Sequence, residues 1–146
     1  MATQRRILPD TMTAPETGEV LRRGVRPFTV SYKGESTVVA LPGYYPASDG
    51  DGVHVGNDMS VVDEALRALK ERIEGIPSPA TIRRIRTKLK LSQREAGVLL
   101  KVGENAFDKY ERGLVEPSGP TGQLIRILDR HPEIVDELRE RDPQRA

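Results

Sequence analysis

The chain has 146 residues, of which 36% are hydrophobic and 31% charged, with a formal net charge of +1. That is enough for one ordinary domain or two very small ones, and the composition is not polar enough to force disorder. The absence of cysteine excludes disulfide scaffolds, thiolate zinc sites and cysteine nucleophiles, and two histidines, His54 and His131, are too few for an imidazole-built metal centre.

Aromatic residues make up 4% and tryptophan is absent, so neither a large aromatic core nor a base-stacking platform is expected. No apolar run approaches the roughly 18 residues of a membrane span. Arg5 and Arg6 are followed by no apolar stretch of the signal-peptide kind. The expectation is a soluble cytoplasmic chain with no membrane partner and no cofactor.

Residues 1–18 mix Pro, Thr, Glu and Gly and read as flexible. Residues 19–24 are extended. In 27–33, Phe28, Val30 and Tyr32 alternate with Thr29 and Ser31, which predicts a half-buried strand. Lys33-Gly34-Glu35 is a turn, and the β-branched run Ser36 to Leu41 is the partner strand, ended by Pro42-Gly43. Residues 46–58 are a loop by composition. Asp49 and Asp51 do not make a calcium loop, because the third ligand would fall on Val53.

A helix is predicted from Ser60 to about Glu74. Ser60 to Asp63 approximates a capping box, and Val62, Leu66, Leu69 and Ile73 recur at helical spacing before Gly75. Pro77-Ser78-Pro79 is a stiff break. The predicted organisation is therefore a β-rich domain over 1–76, a hinge at 77–79 and a helical domain over 80–146, an α+β chain.

Charge is segregated between these parts. Residues 79–117 carry nine basic against five acidic side chains, and Arg83, Arg84, Arg86, Lys88, Lys90 and Arg94 follow one another with no acid between Glu74 and Glu95. Such a cluster on a nearly neutral chain suggests a polyanion footprint, although a solvated helix face has the same appearance. A first helix is expected from about Ala80 to Leu89, with Ile82, Ile85 and Leu89 inward. Ser92-Gln93-Arg94-Glu95 is a full capping box opening a second helix that ends near Leu100. A third opens at Glu104 and runs to Gly113, with Ala106, Phe107 and Tyr110 inward and Glu104, Asn105, Asp108, Lys109 and Arg112 outward. Two short helices, a tight turn and a polar outer face on the second are the pattern of a helix-turn-helix. Two further helices follow, 121–129 with Leu124, Ile125 and Leu128 on one stripe, and a last one opened by Pro132 with Ile134, Val135 and Leu138.

The run Leu91 to Gly113 resembles the helix-turn-helix of Xre/Cro-like repressors: Leu91, Ser92-Gln93, Glu95, the small Gly97, Leu100, Val102, the buried Phe107 and the ending Tyr110-Glu111-Arg112-Gly113 all match. Lys101 stands where that pattern usually has glycine, so a lysine must adopt positive φ there. With Pro117, the segment Leu124 to Arg139 and the hairpin-rich N-terminal part, the chain is similar to the MqsA-type antitoxins. That resemblance implies an N-terminal domain that binds zinc and a ribonuclease toxin, and a C-terminal domain that forms a homodimer and binds double-stranded, palindromic operator DNA. It implies base contacts by Asn105 and by Lys109, where the family has arginine. It places Gln93 on a phosphate; the charge pattern adds Arg94, Lys101, Arg83, Glu104 and Arg112 as expected DNA-backbone contacts and Arg84, Lys88 and Lys90 as further phosphate candidates, which spread over more than one helix face and so do not all meet DNA.

The resemblance also implies cysteine pairs where this chain has Leu8-Pro9-Asp10-Thr11 and, further on, Tyr45 and Ser48. Without thiolates no metal site is expected, and the N-terminal part must be held by a core drawn from Val20, Phe28, Val30, Tyr32, Val38, Ala40 and Tyr44. An alternative reading is a free-standing Xre-family repressor with no toxin partner. No catalytic residues are expected, since His54 near Asp49, Asp51 and Asp58 forms no recognisable acid–base or nucleophile set.

Overall fold

The computed structural model describes residues 7–141. By its internal contacts the chain falls into two units, residues 1–69 and 70–146. The class is α+β, with a three-stranded antiparallel sheet and six helices among the described residues.

In the N-terminal unit, β1 (Thr11–Thr13), β2 (Val20–Tyr32) and β3 (Glu35–Tyr45) pair in the order β1-β2-β3. β2 and β3 form one long hairpin, paired without slippage from Arg22↔Tyr45 to Tyr32↔Glu35. Its turn residues Lys33 and Gly34 both have positive φ, 46° and 84°. That is the turn whose twist matches the strands it joins, and glycine at the second position makes it accessible.

Four expectations for this region are corrected. Residues 1–18 were expected to be flexible, but Thr11–Thr13 pair with Val20–Arg22; three residues are too few for a periodic signal. The two extended runs before the turn are one strand of 13 residues that passes through Gly24 and Pro27. β1 reaches only as far as Arg22, so beyond it β2 has an open edge where a proline without an N–H costs little. The partner strand likewise continues through Pro42-Gly43 to Tyr45, because β3 is itself an edge, met only by an isolated bridge between Tyr44 and Val53. The core is Leu21, Val30, Leu41 and Tyr44. Of the other residues expected there, Val20, Phe28, Val38 and Ala40 are exposed and Tyr32 is half-buried.

α1 spans Ser60–Glu74, the bounds expected from its apolar spacing. The C-terminal unit contains α2 (Pro79–Lys88), α3 (Gln93–Leu99), α4 (Ala106–Glu111), α5 (Gly119–Arg130) and α6 (Ile134–Glu140). Ser78 caps α2, accepting the Thr81 N–H, and Pro79 occupies its first turn. Ser118 and Pro120 repeat the device on α5. The box at Ser92 is complete: its hydroxyl accepts from the Glu95 N–H at 3.0 Å, and the Glu95 carboxylate accepts from the Ser92 N–H at 3.3 Å. α4 starts two residues later than expected, after Asn105, and α6 starts at Ile134, with Pro132 in the turn before it. One core joins Ile82, Ile85, Leu91, Ala96, Phe107, Tyr110, Ile125, Leu128 and Val135. Phe107 and Tyr110 meet edge to face within it, ring centroids 5.5 Å apart.

Candidate nucleic-acid interface

α3 packs against α4, and α2 against α4 and α5. The approach of α3 to the turn that follows it depends on Gly97. A Cβ there would stand 2.0 Å from the Gly103 carbonyl oxygen. The Val102 and Gly103 N–H groups both donate to the Gly97 carbonyl, at 3.0 and 3.2 Å. Lys101 takes φ 59°, the left-handed conformation its position demands.

Asn105 and Lys109 are both exposed and lie one helical turn apart, opposite the buried Phe107 and Tyr110. Asn105 precedes α4 with φ −103° and makes no capping bond, so its amide is not consumed by the helix start. Gln93 is the first residue of α3 and is half-buried. Arg94 is exposed and ion-paired with Glu104 at 3.3 Å, while Arg112 lies 3.5 Å from Asp108 on its own helix. Lys101, Lys90 and Arg83 are exposed.

The basic run of α2 does not form one free footprint. Arg86 is directed inward, donating from Nε and Nη2 to both oxygens of Glu111 at 2.8 Å and from Nη1 to the Leu91 carbonyl at 2.9 Å. The Glu111 side chain is only 5% exposed, so this pair ties the end of α4 to α2. Its bidentate geometry holds the guanidinium pKa above its ordinary value. Arg84 and Lys88 both bind Asp129 on α5, at 3.2 and 2.9 Å, and hold its carboxyl below the usual carboxylate range. Sequence spacing does not reveal this, because each acid lies at least 25 residues from its base.

In the N-terminal unit, Asp58 is 3% exposed and receives both Arg23 Nη groups, with Nη1 to Oδ2 at 2.8 Å. The Val55 N–H adds a further bond at 2.9 Å. The Arg23 bonds, more than any other contact, lower the Asp58 pKa. Beyond Leu21 and Tyr44, the face of the hairpin carrying Val25, Pro27, Val38 and Ala40 is exposed, with Val25 at 59% and Val38 at 64%. No helix of the described residues is long and apolar enough to cross a membrane.

These features, a small sheet unit and a helical unit offering amide and basic groups, meet in a known class. Residues 12–139 match the family model described as the antitoxin component of a bacterial toxin–antitoxin system, MqsA. The chain belongs to the MqsA antitoxin family. It is 29% identical over 118 residues to the antitoxin MqsA of Escherichia coli (strain K12), covering 80% of this chain and 90% of that protein.

The zinc implied for such antitoxins does not fit this chain. The sequence contains no cysteine, and among the described residues no group of three or more His, Cys, Asp or Glu side chains is placed to hold a metal ion. Leu8, Thr11, Tyr45 and Ser48 supply no thiolate or imidazole where the cysteine pairs would fall.

Proposed function

We propose that this antitoxin neutralises a cognate toxin, a ribonuclease, through its N-terminal unit and represses its own operon through a helix-turn-helix formed by α3 and α4. In this reading α4 enters the major groove of a palindromic operator. Asn105 pairs with the N6 and N7 edge of an adenine, and Lys109 donates to guanine O6 or N7 without the planar fork of an arginine. Gln93, Arg94, Lys101, Arg112 and Arg83 contact phosphates and set the register. Glu104 contributes its main-chain N–H, since its carboxylate repels phosphate. The chain acts as a homodimer through its C-terminal unit, the two-fold matching the palindrome.

The observation that carries the reading is the exposed pair Asn105 and Lys109 beside an otherwise buried α4, with the Asn105 amide free of any capping bond. The exposed apolar face around Val25 and Val38 supports toxin docking on the N-terminal unit.

The test is co-purification of the untagged chain with the product of the adjacent reading frame, followed by a mobility-shift assay on the shared promoter. Asn105→Ala is expected to weaken promoter binding about five- to a hundredfold, the range for one lost bidentate base contact, with an unchanged melting temperature. Equal affinity of variant and wild type removes Asn105 from the interface. Promoter binding by a chain that captures no partner leaves a repressor without a toxin.

A further inference from the structure

The N-terminal unit is small, with four buried hydrophobic side chains in its sheet. A core of that size contributes only a few kcal/mol, so ties between its segments weigh heavily in its stability. Its polar contacts converge on two arginines of β2. Arg23 binds Asp58 through both Nη groups, lies 5.0 Å over the Tyr44 ring, and its own N–H donates to the Asp10 carbonyl at 2.8 Å. Tyr44 in turn donates from its hydroxyl to the Pro9 carbonyl at 2.7 Å. Arg26 lies 4.6 Å over the Tyr45 ring and donates to three carbonyls of the following loop, Pro46 at 2.6 Å, Ser48 at 2.9 Å and Gly50 at 3.2 Å.

The segments tied together are residues 9–10, 44–50 and 58. Residues 9–10 lie between Leu8 and Thr11, and 44–50 span Tyr45 and Ser48, the positions where the resembling antitoxins carry cysteine pairs. We propose that two arginine clamps, Arg23 with Asp58 and Tyr44 and Arg26 with Tyr45 and the 46–50 carbonyls, close the N-terminal unit in place of a metal, so that it folds and stays folded without one. The chemistry suits the task. A guanidinium offers five fixed donors, enough to gather a carboxylate or several carbonyls at once, and it stacks on an aromatic face while doing so. A buried carboxylate with two charge-assisted bonds and a backbone N–H is fully satisfied. Neither clamp contains a thiolate, so chelators and thiol oxidants have no target in it.

The experiment uses the full chain from zinc-supplemented culture. Metal content is measured by plasma mass spectrometry, and amide hydrogen exchange over residues 20–45 is followed with and without EDTA. The expected result is zinc far below one atom per chain and protection indifferent to EDTA. Arg23→Met and Asp58→Asn are each expected to raise exchange at 20–26 and 41–45 at least tenfold, leaving α2 to α5 protected, and the double variant is expected to be no worse than the worse single. If either single unfolds the whole unit, protection is lost throughout 20–45, which also supports the clamp. Tyr44→Phe, which removes one hydroxyl without a cavity, then reports locally through faster exchange at 9–12. Stoichiometric zinc, loss of protection in EDTA, or wild-type exchange in the Arg23 and Asp58 variants overturns the proposal.

Discussion

Replacing Gly97 by alanine sets two effects of known sign against each other. In the interior of α3, alanine favours the helix by about 1 kcal/mol over glycine. Against that, the new methyl would stand 2.0 Å from the Gly103 oxygen, 2.8 Å from the Gly103 carbonyl carbon and 3.2 Å from the Glu104 Cα. All three are backbone atoms, so no side-chain rotation relieves the overlap. Ordinary contact at about 3.5 Å requires the turn to retreat by about 1.5 Å. That retreat strains the two bonds from Val102 and Gly103 to the Gly97 carbonyl, each contributing about 1 kcal/mol. Overpacking of a rigid site adds about 1–3 kcal/mol. The net expectation is a loss of about 2–4 kcal/mol, or a melting temperature lower by about 10–25 °C for a unit of this size. Thermal unfolding followed by far-ultraviolet circular dichroism reads this directly. Gly119→Ala is the control, because a Cβ there meets nothing within 4 Å. A Gly97→Ala chain that melts at or above the wild-type temperature refutes the reasoning, since helix propensity would then have won and the α3 turn would not need its close approach.

Glu111→Ala leaves the Arg86 guanidinium buried without its carboxylate, and chemical denaturation is expected to show a loss of about 3–5 kcal/mol. The double change Arg86→Met with Glu111→Leu recovers most of it. If the single change is silent, the pair does not hold α4. Lys101→Gly relieves a left-handed lysine and is expected to raise stability by about 1 kcal/mol while weakening promoter binding severalfold, a divergence read by paired melting and mobility-shift assays. Asp129 titrates below its ordinary range because Arg84 and Lys88 bind its charged form. A depressed carboxylate contributes stability above its unfolded pKa of about 4 and loses it as pH falls through the lower folded value. Denaturation midpoints of the C-terminal unit should therefore fall below about pH 4, with a shallower slope in Asp129→Asn; identical slopes would remove Asp129 from the linkage.

What the chain reveals by inspection is local or periodic. The Ser92–Glu95 box spans four adjacent residues and is found as read. The inward positions Ile82, Ile85, Phe107 and Tyr110 follow the helical period, and all four are buried. The positive φ of Lys101 follows from the shape of a turn, and the Lys33-Gly34 turn from two strands with matching alternation. The hairpin is legible except around Val25, which lies between the two extended runs, and beyond Leu41, where Pro42-Gly43 reads as a terminator until the open edge of β3 is known.

Tertiary structure alone decides which charges remain available. Six bases in a row look alike, yet Arg86 is bound to Glu111, and Arg84 and Lys88 are bound to Asp129, while Arg83 and Lys90 stay exposed. It likewise decides that Val30 is covered while Val38 is not, and that Asp58, an ordinary loop acid in the sequence, is the buried partner of Arg23. Caps, turns and helical stripes are set by neighbours within about four residues, so their energetics are written in adjacent letters. Ion pairs and strand edges depend on groups brought together across tens of residues, and only the folded chain specifies which of them meet.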